Sequence, residues 1–192
     1  MRIRTILSGA SASLAAATLL ATAVTPASAT PSINRVGMSP NAAVHPMSIN
    51  RTNEKTAFNF FVGKGLTKKQ AAGIVGNLDQ ESGMDPTIHQ IGGGPGRGIA
   101  QWSVGGRWDT YSGDNVVGYA KSQGQSATSL NLQLKFVWYE LTKFSYYGLS
   151  SLRGTTTING ATVSFQNNYE GCGTCDTSAR EAYAADAYSR YA

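Results

Sequence analysis

Apolar residues fall at helical intervals in five stretches of the chain and lose that rhythm between them. From Glu54 to Lys64, Ala57, Phe58, Phe61 and Val62 share one face, and Gly63 or Gly65 ends the pattern. A second helix starts at Thr67, whose hydroxyl and the Gln70 amide three residues on fit a reciprocal capping box. Its face of Ala71, Ala72, Ile74, Val75 and Leu78 runs up to Ser82, where Gly83 can take the left-handed terminating conformation. A third helix is expected over Ser129–Phe144, with Leu130, Leu134, Val137, Leu141 and Phe144 on one side. A shorter one should span Ala161–Tyr169. The last should open at Ser178, with Glu181 completing a capping box, and bury Ala184, Ala187, Tyr188 and Tyr191, with Tyr183 packing alongside.

Between Gly83 and Thr128 the periodicity fades into Gly, Ser and Asn. Strands there can only be short, no more than a hairpin, and an irregular segment of this length usually carries function. The expected fold is mainly α with a small β element (α+β): a helical domain with a long Gly-rich loop or small hairpin on one side.

The start of the chain reads differently. Arg2 and Arg4 precede an apolar or small-residue run from Ile6 to Val24, then Pro26 and Ala27-Ser28-Ala29, the order of a cleaved secretory signal. A membrane anchor competes weakly, because the run has only about the minimum spanning length and no stop-transfer flank. Residues 1–29 are therefore expected to be removed and the protein to be secreted, extracellular or wall-associated, with no membrane span left. Residues 30–52, with Pro31, Pro40 and Pro46 and no period, should be a disordered linker or pro-segment. From 53 to 192 about 140 residues remain, one domain's worth.

Losing Arg2 and Arg4 lowers the formal charge from +5 to +3. The basic residues are scattered, Lys68-Lys69 being the one adjacent pair in the mature chain, so a nucleic-acid partner is not expected. Cys172 and Cys175 form a Cys-x-x-Cys spacing without a second pair for zinc, and in an oxidising compartment a local disulfide is expected. His45 and His89 lack the spaced companions of a metal site. Neither metal nor cofactor is expected.

The chemistry concentrates at Glu81. It follows Leu78 by three residues and Ile74 by seven, so it extends the apolar face. A carboxyl there either organises the loop from within the core or looks into a cleft. The negative end of the helix dipole and partial burial should both disfavour its ionisation, as a general acid requires. Asp79 lies on another face and is expected to be a solvated charge. Downstream, Ile91-Gly-Gly-Gly-Pro-Gly-Arg-Gly-Ile-Ala-Gln-Trp-Ser103 lets backbone approach a ligand closely and offers Gln101 and Trp102 for hydrogen bonding and stacking of sugars. The stretch lacks the Gly-Lys-Ser/Thr of a phosphate loop.

Glu81-Ser-Gly-x-x-Pro86 followed some twenty residues on by Gly98-Ile-Ala-Gln101 resembles the Glu-Ser and Gly-Leu-Met-Gln pair of lytic transglycosylases. With the preceding Ala71-Ala-Gly-Ile-Val-Gly-Asn-Leu78, the following Trp102 and Arg107, and the later Gln133–Leu141 and Phe165–Glu170 stretches, it is similar more specifically to the phage tail lysozyme family over about residues 53–192. The resemblance implies a lysozyme-like fold in which the glycine-rich segment borders a substrate cleft. It also implies a peptidoglycan partner, a monomer, and cleavage of the β-1,4 bond after N-acetylmuramic acid. Glu81 matches the catalytic acid and Gln101 the cleft glutamine; Ser82, Trp102 and Arg107 are the other candidate substrate contacts. Hydrolysis ordinarily needs a second carboxylate, for which Asp85, Asp109 and Asp114 are candidates and Asp109 is preferred. If none serves, the muramic 6-hydroxyl attacks instead, giving an anhydro product. Arg97 and Arg107 either hold stem-peptide carboxylates or, the favoured reading, pair with Asp85 and Asp109. Glu140 should be a salt-bridge partner, and Trp102 and Trp108 serve either the core or a sugar platform. Two other classes stay open, a non-catalytic wall-binding module and a secreted interaction protein.

Overall fold

The computed structural model describes residues 48–192, so the expected signal peptide and most of the 30–52 linker lie outside the described residues. The first helix, α1 (Arg51–Gly63), begins two residues before the expected domain start and is capped by the Asn50 side chain accepting from the Asn53 N–H. Next, α2 (Lys68–Ser82) carries the expected capping box, Thr67 and Gln70 each receiving the other's backbone N–H, and ends on left-handed Gly83.

After α2 comes the irregular segment. It contains a minimal antiparallel hairpin, β1 (Gly96–Arg97) and β2 (Trp102–Ser103), in which Gly96 pairs with Ser103 and Arg97 with Trp102. It also contains a helix that the pattern did not reveal, α3 (Val116–Gln123), capped by Asn115 and closed by left-handed Gly124. Only Val116 and Ala120 of its eight residues are buried, too few to mark a period. Then α4 (Leu130–Lys143) follows within a residue of expectation at each end. A 3-10 turn (Ser145–Tyr147) leads into α5 (Leu149–Arg153) and α6 (Ile158–Phe165), which widens into a π-helical turn (Gln166–Glu170). Finally α7 (Thr177–Tyr191) is capped by Asp176 accepting from the Ala179 N–H, which corrects the Ser178–Glu181 box. A disulfide joins Cys172 to Cys175 in the turn before it.

The organising element is α2. Four of its consecutive residues, Ile74, Val75, Gly76 and Asn77, are all buried, because α1, α6 and α7 pack around it. Two glycines make this possible. A Cβ on Gly73 would stand 2.6 Å from the Ala161 Cβ of α6, and one on Gly76 would stand 2.5 Å from the Ala184 nitrogen of α7. Backbones at that distance leave no room for a methyl group. On the far side of the core, Trp102 meets Phe136 of α4 edge-on at 5.6 Å between ring centroids. The domain is mainly helical with one small hairpin, as expected. Among the described residues no helix is long and apolar enough to cross a membrane.

Candidate active site

Glu81 occupies the last turn of α2 with its side chain 21% exposed, neither sealed in the core nor free in solvent. It borders a groove of about 560 Å³ together with Ile88, Gln90, Gln101 and Ser103. It also borders a recess of about 250 Å³ that continues past Gln101 to Arg107, Tyr111 and Glu170. One carboxyl group thus stands where two pockets meet, with the hairpin as a shared wall.

That wall is fixed from behind by Gln133 of α4. Its side-chain oxygen accepts from the Ile99 N–H at 2.9 Å, while its amide donates to the Pro86 and Ala127 carbonyls at 2.8 and 2.7 Å. Gly98 passes so near that a Cβ would lie 2.7 Å from the Gln133 side-chain oxygen. The turn then places Gln101 at φ 48°, a left-handed conformation uncommon outside glycine, with its side-chain amide donating to the Gly98 carbonyl at 3.1 Å. Gly96 passes close beside it, so that a Cβ there would come within 2.5 Å of the Gln101 side-chain oxygen and push that amide aside. Strain of this kind persists only where the surroundings enforce it, and it is common at functional sites.

From the other side α7 contributes Arg180, only 4% exposed. Its guanidinium donates to the Asn77 side-chain oxygen at 3.0 Å and to a Glu81 carboxylate oxygen. Asn77 is itself held by donating to the Gly73 and Thr162 carbonyls. The sequence reading missed Arg180, although it precedes Ala184 by four residues and Ala187 by seven, the spacing that singled out Glu81.

Glu170 was also missed as a site residue. It ends the π turn, is half-buried, and has one carboxyl oxygen sealed from solvent with no hydrogen-bond partner. Burial, and after it the nearby Glu81 charge, push Glu170 well above the usual carboxylate range, against the pull of Arg107 and Arg180. Behind the recess, Arg107 donates to Glu140 at 2.8 Å and lies 4.6 Å from the ring centroids of both Tyr147 and Tyr169. Glu140 also accepts from the Trp102 indole at 3.3 Å and from the Tyr169 hydroxyl. Burial moves Glu140 up to about 7, with Arg107 opposing.

The remaining candidates scatter. Asp109 lies exposed in a turn, where the Thr110 hydroxyl and the Gly105 N–H hold its carboxyl below the usual range; it lines neither pocket. Asp85 accepts from Thr87 and Asp114 from the Tyr147 hydroxyl. Ser82 is buried and closes the helix end, bonded to the Leu78 carbonyl and the Met84 N–H. Trp102 forms part of the recess wall while remaining 1% exposed. Trp108 packs against the core. Arg107 pairs with Glu140 rather than with Asp109, and Arg97 donates to the Gly94 and Gly96 carbonyls. The expectation of a solvated Asp79 is corrected: it is fully buried beside Glu54 of α1, and burial followed by that neighbour raises it to about 9. From Gln70 to Asp79 the central helix is buried on every side.

A helical body that brings a single helix-end carboxyl to the meeting point of two polar pockets, with an amide-bearing hairpin as their common wall, has the lysozyme-like design. The model of the phage tail lysozyme family matches residues 52–191, and the chain belongs to that family. Membership implies a lysozyme-like glycosidase that acts on peptidoglycan. No curated protein matches the chain.

Proposed function

We propose that the protein is a secreted muramidase, cleaving the β-1,4 bond after N-acetylmuramic acid with Glu81 as the general acid. The observation that carries this reading is the position of Glu81, half-buried at the junction of the groove and the recess. Sugar rings in the two pockets would bring their shared glycosidic oxygen to it. Glu81 gives its proton to that oxygen, the bond to C1 breaks with its electron pair leaving on the oxygen, and C1 develops oxocarbenium character. Gln101 supplies amide hydrogen bonding along the wall, and exposed Tyr111 supplies an aromatic face for a sugar in the recess. Export would follow from the pattern of residues 1–29, and a monomer suffices because both pockets belong to one chain.

A specific observation favours a second outcome at C1. The acidic residues lining the two pockets are Glu81 and Glu170, and a Glu170 that keeps its proton is a poor base for activating water. Capture of C1 by the muramic 6-hydroxyl, the lytic transglycosylase course, needs no such base beyond Glu81 itself. Incubating the purified protein with peptidoglycan and weighing the released muropeptides separates hydrolysed from anhydro ends. Glu81→Gln should reduce release of either by roughly a hundredfold or more, and unchanged release would overturn the reading.

A further inference from the structure

We propose that Glu170 is the proton-holding partner of Glu81, the two carboxyl groups of the recess carrying a single proton between them that reaches the glycosidic oxygen through Glu81. The inference rests on the reading of Glu81 as general acid and adds a positioning residue to it.

The charges around the recess do not balance if every acid is ionised. Facing Glu170 are Glu81 from α2, Glu140 from α4, Arg107 from the segment after β2, and Arg180 from α7. Three carboxylates meet two guanidinium groups. Arg107 is committed to Glu140 through its Nε, at 2.8 Å, and to the Tyr169 carbonyl at 3.2 Å. Arg180 is committed to Glu81 and Asn77. Glu170 is the acid left without a cation in contact, and its buried oxygen has no donor to stabilise a negative charge. An ionised oxygen in that state is strongly disfavoured, having lost water without gaining a donor. A proton removes the cost, which accords with the upward shift already described.

Arg180, meanwhile, compensates negative charge on Glu81, so a proton must be kept close by for each cycle. Glu170 keeps it. With the single proton resting on Glu170, the Glu170 O–H gives it to Glu81, directly or through one water, as Glu81 delivers it to the departing oxygen. Both carboxyl groups are then ionised, and Glu81 is free to accept the proton of the incoming hydroxyl. The hydroxyl that attacks C1, from water or from the 6-position of muramic acid, releases one proton, which returns to the pair. The count closes at one proton given and one recovered. Once Glu170 loses its proton none is left to deliver, so its ionisation governs the alkaline side of activity.

The experiment compares wild type, Glu170→Gln and Glu81→Gln on purified peptidoglycan from about pH 4.5 to 9, fitting kcat and KM separately. For Glu170→Gln the alkaline limb of kcat should move acidward by about one unit or more, a loss of about tenfold near pH 8 that largely disappears near pH 5. KM and the melting temperature should change little. A profile superimposed on wild type, or a loss equal at every pH, overturns the proposal. If Glu170→Gln does not fold, the Glu170 carboxyl carbon of the wild-type protein, followed by carbon NMR, decides: it should titrate together with the alkaline limb, and ionisation complete by about pH 6 overturns the idea. An inactive Glu81→Gln beside an unshifted Glu170→Gln sinks this inference alone, whereas an active Glu81→Gln removes the function beneath it.

Discussion

Tyr111 is 55% exposed and borders the recess that contains Glu81 and Glu170. An aromatic ring so placed has little to do for the core and much to offer a sugar. Tyr111→Ala should raise KM for wall fragments about fivefold to tenfold, the loss expected for one stacked ring, with kcat and melting temperature nearly unchanged; steady-state kinetics checks it. At this scale the sequence was uneven. Glu81 was legible because an acid at i+3 and i+7 of an apolar face has to be exceptional. Arg180 obeyed the same rule and could have been read from it. Helical spacing could not mark Glu170, since it ends a π turn whose altered spacing breaks the count, and the resemblance over Phe165–Glu170 was the signal that could have. The carboxylates nearest the glycine loop in sequence drew attention to Asp109, but short polar side chains in such loops commonly serve their own turns, as Asp109 does with Gly105 and Thr110.

Helices rather than side chains decide whether Arg180 reaches Glu81. Gly76 lets α7 lie against α2, and the nearest atoms to an added Cβ are backbone, the Arg180 carbonyl oxygen and the Ala184 nitrogen, both at 2.5 Å. Neither can rotate away. Gly76→Ala should therefore cost about 1–3 kcal/mol, the usual penalty of overpacking, and reduce activity by displacing Arg180; urea unfolding measures the first effect and turnover the second. Gln133→Leu tests the hairpin wall. It strands the Ile99 N–H and two carbonyls, and should cost roughly 2–4 kcal/mol while raising KM more than Tyr111→Ala does. The long helices were readable because their apolar faces and caps repeat the same message, as at Thr67–Gln70. What failed were elements too short to show a period, such as α3, and the partners of α2, since nothing local in Gly73 or Gly76 says which helix will lie against it.

Across the whole molecule, buried Asp79 should make stability depend on pH. Asp79 is raised to about 9 in the folded protein, against about 4 in an unfolded chain. The folded state thus holds a proton that the unfolded state has released, and stability should decline as pH rises from about 4 toward 9. Asp79→Asn should flatten that decline and gain about 1–3 kcal/mol near pH 8, read from denaturation at several pH values; an unchanged slope would contradict the assignment. Sequence spacing placed Asp79 away from the apolar face but could not reveal that α1 would cover that side as well. The contact between Glu81 and Arg180 spans 99 positions of chain. A polypeptide still being synthesised displays Glu81 long before Arg180 exists, so this ion pair can form only after the final helix has emerged. Loss of the last helix alone would therefore leave Glu81 without its guanidinium partner.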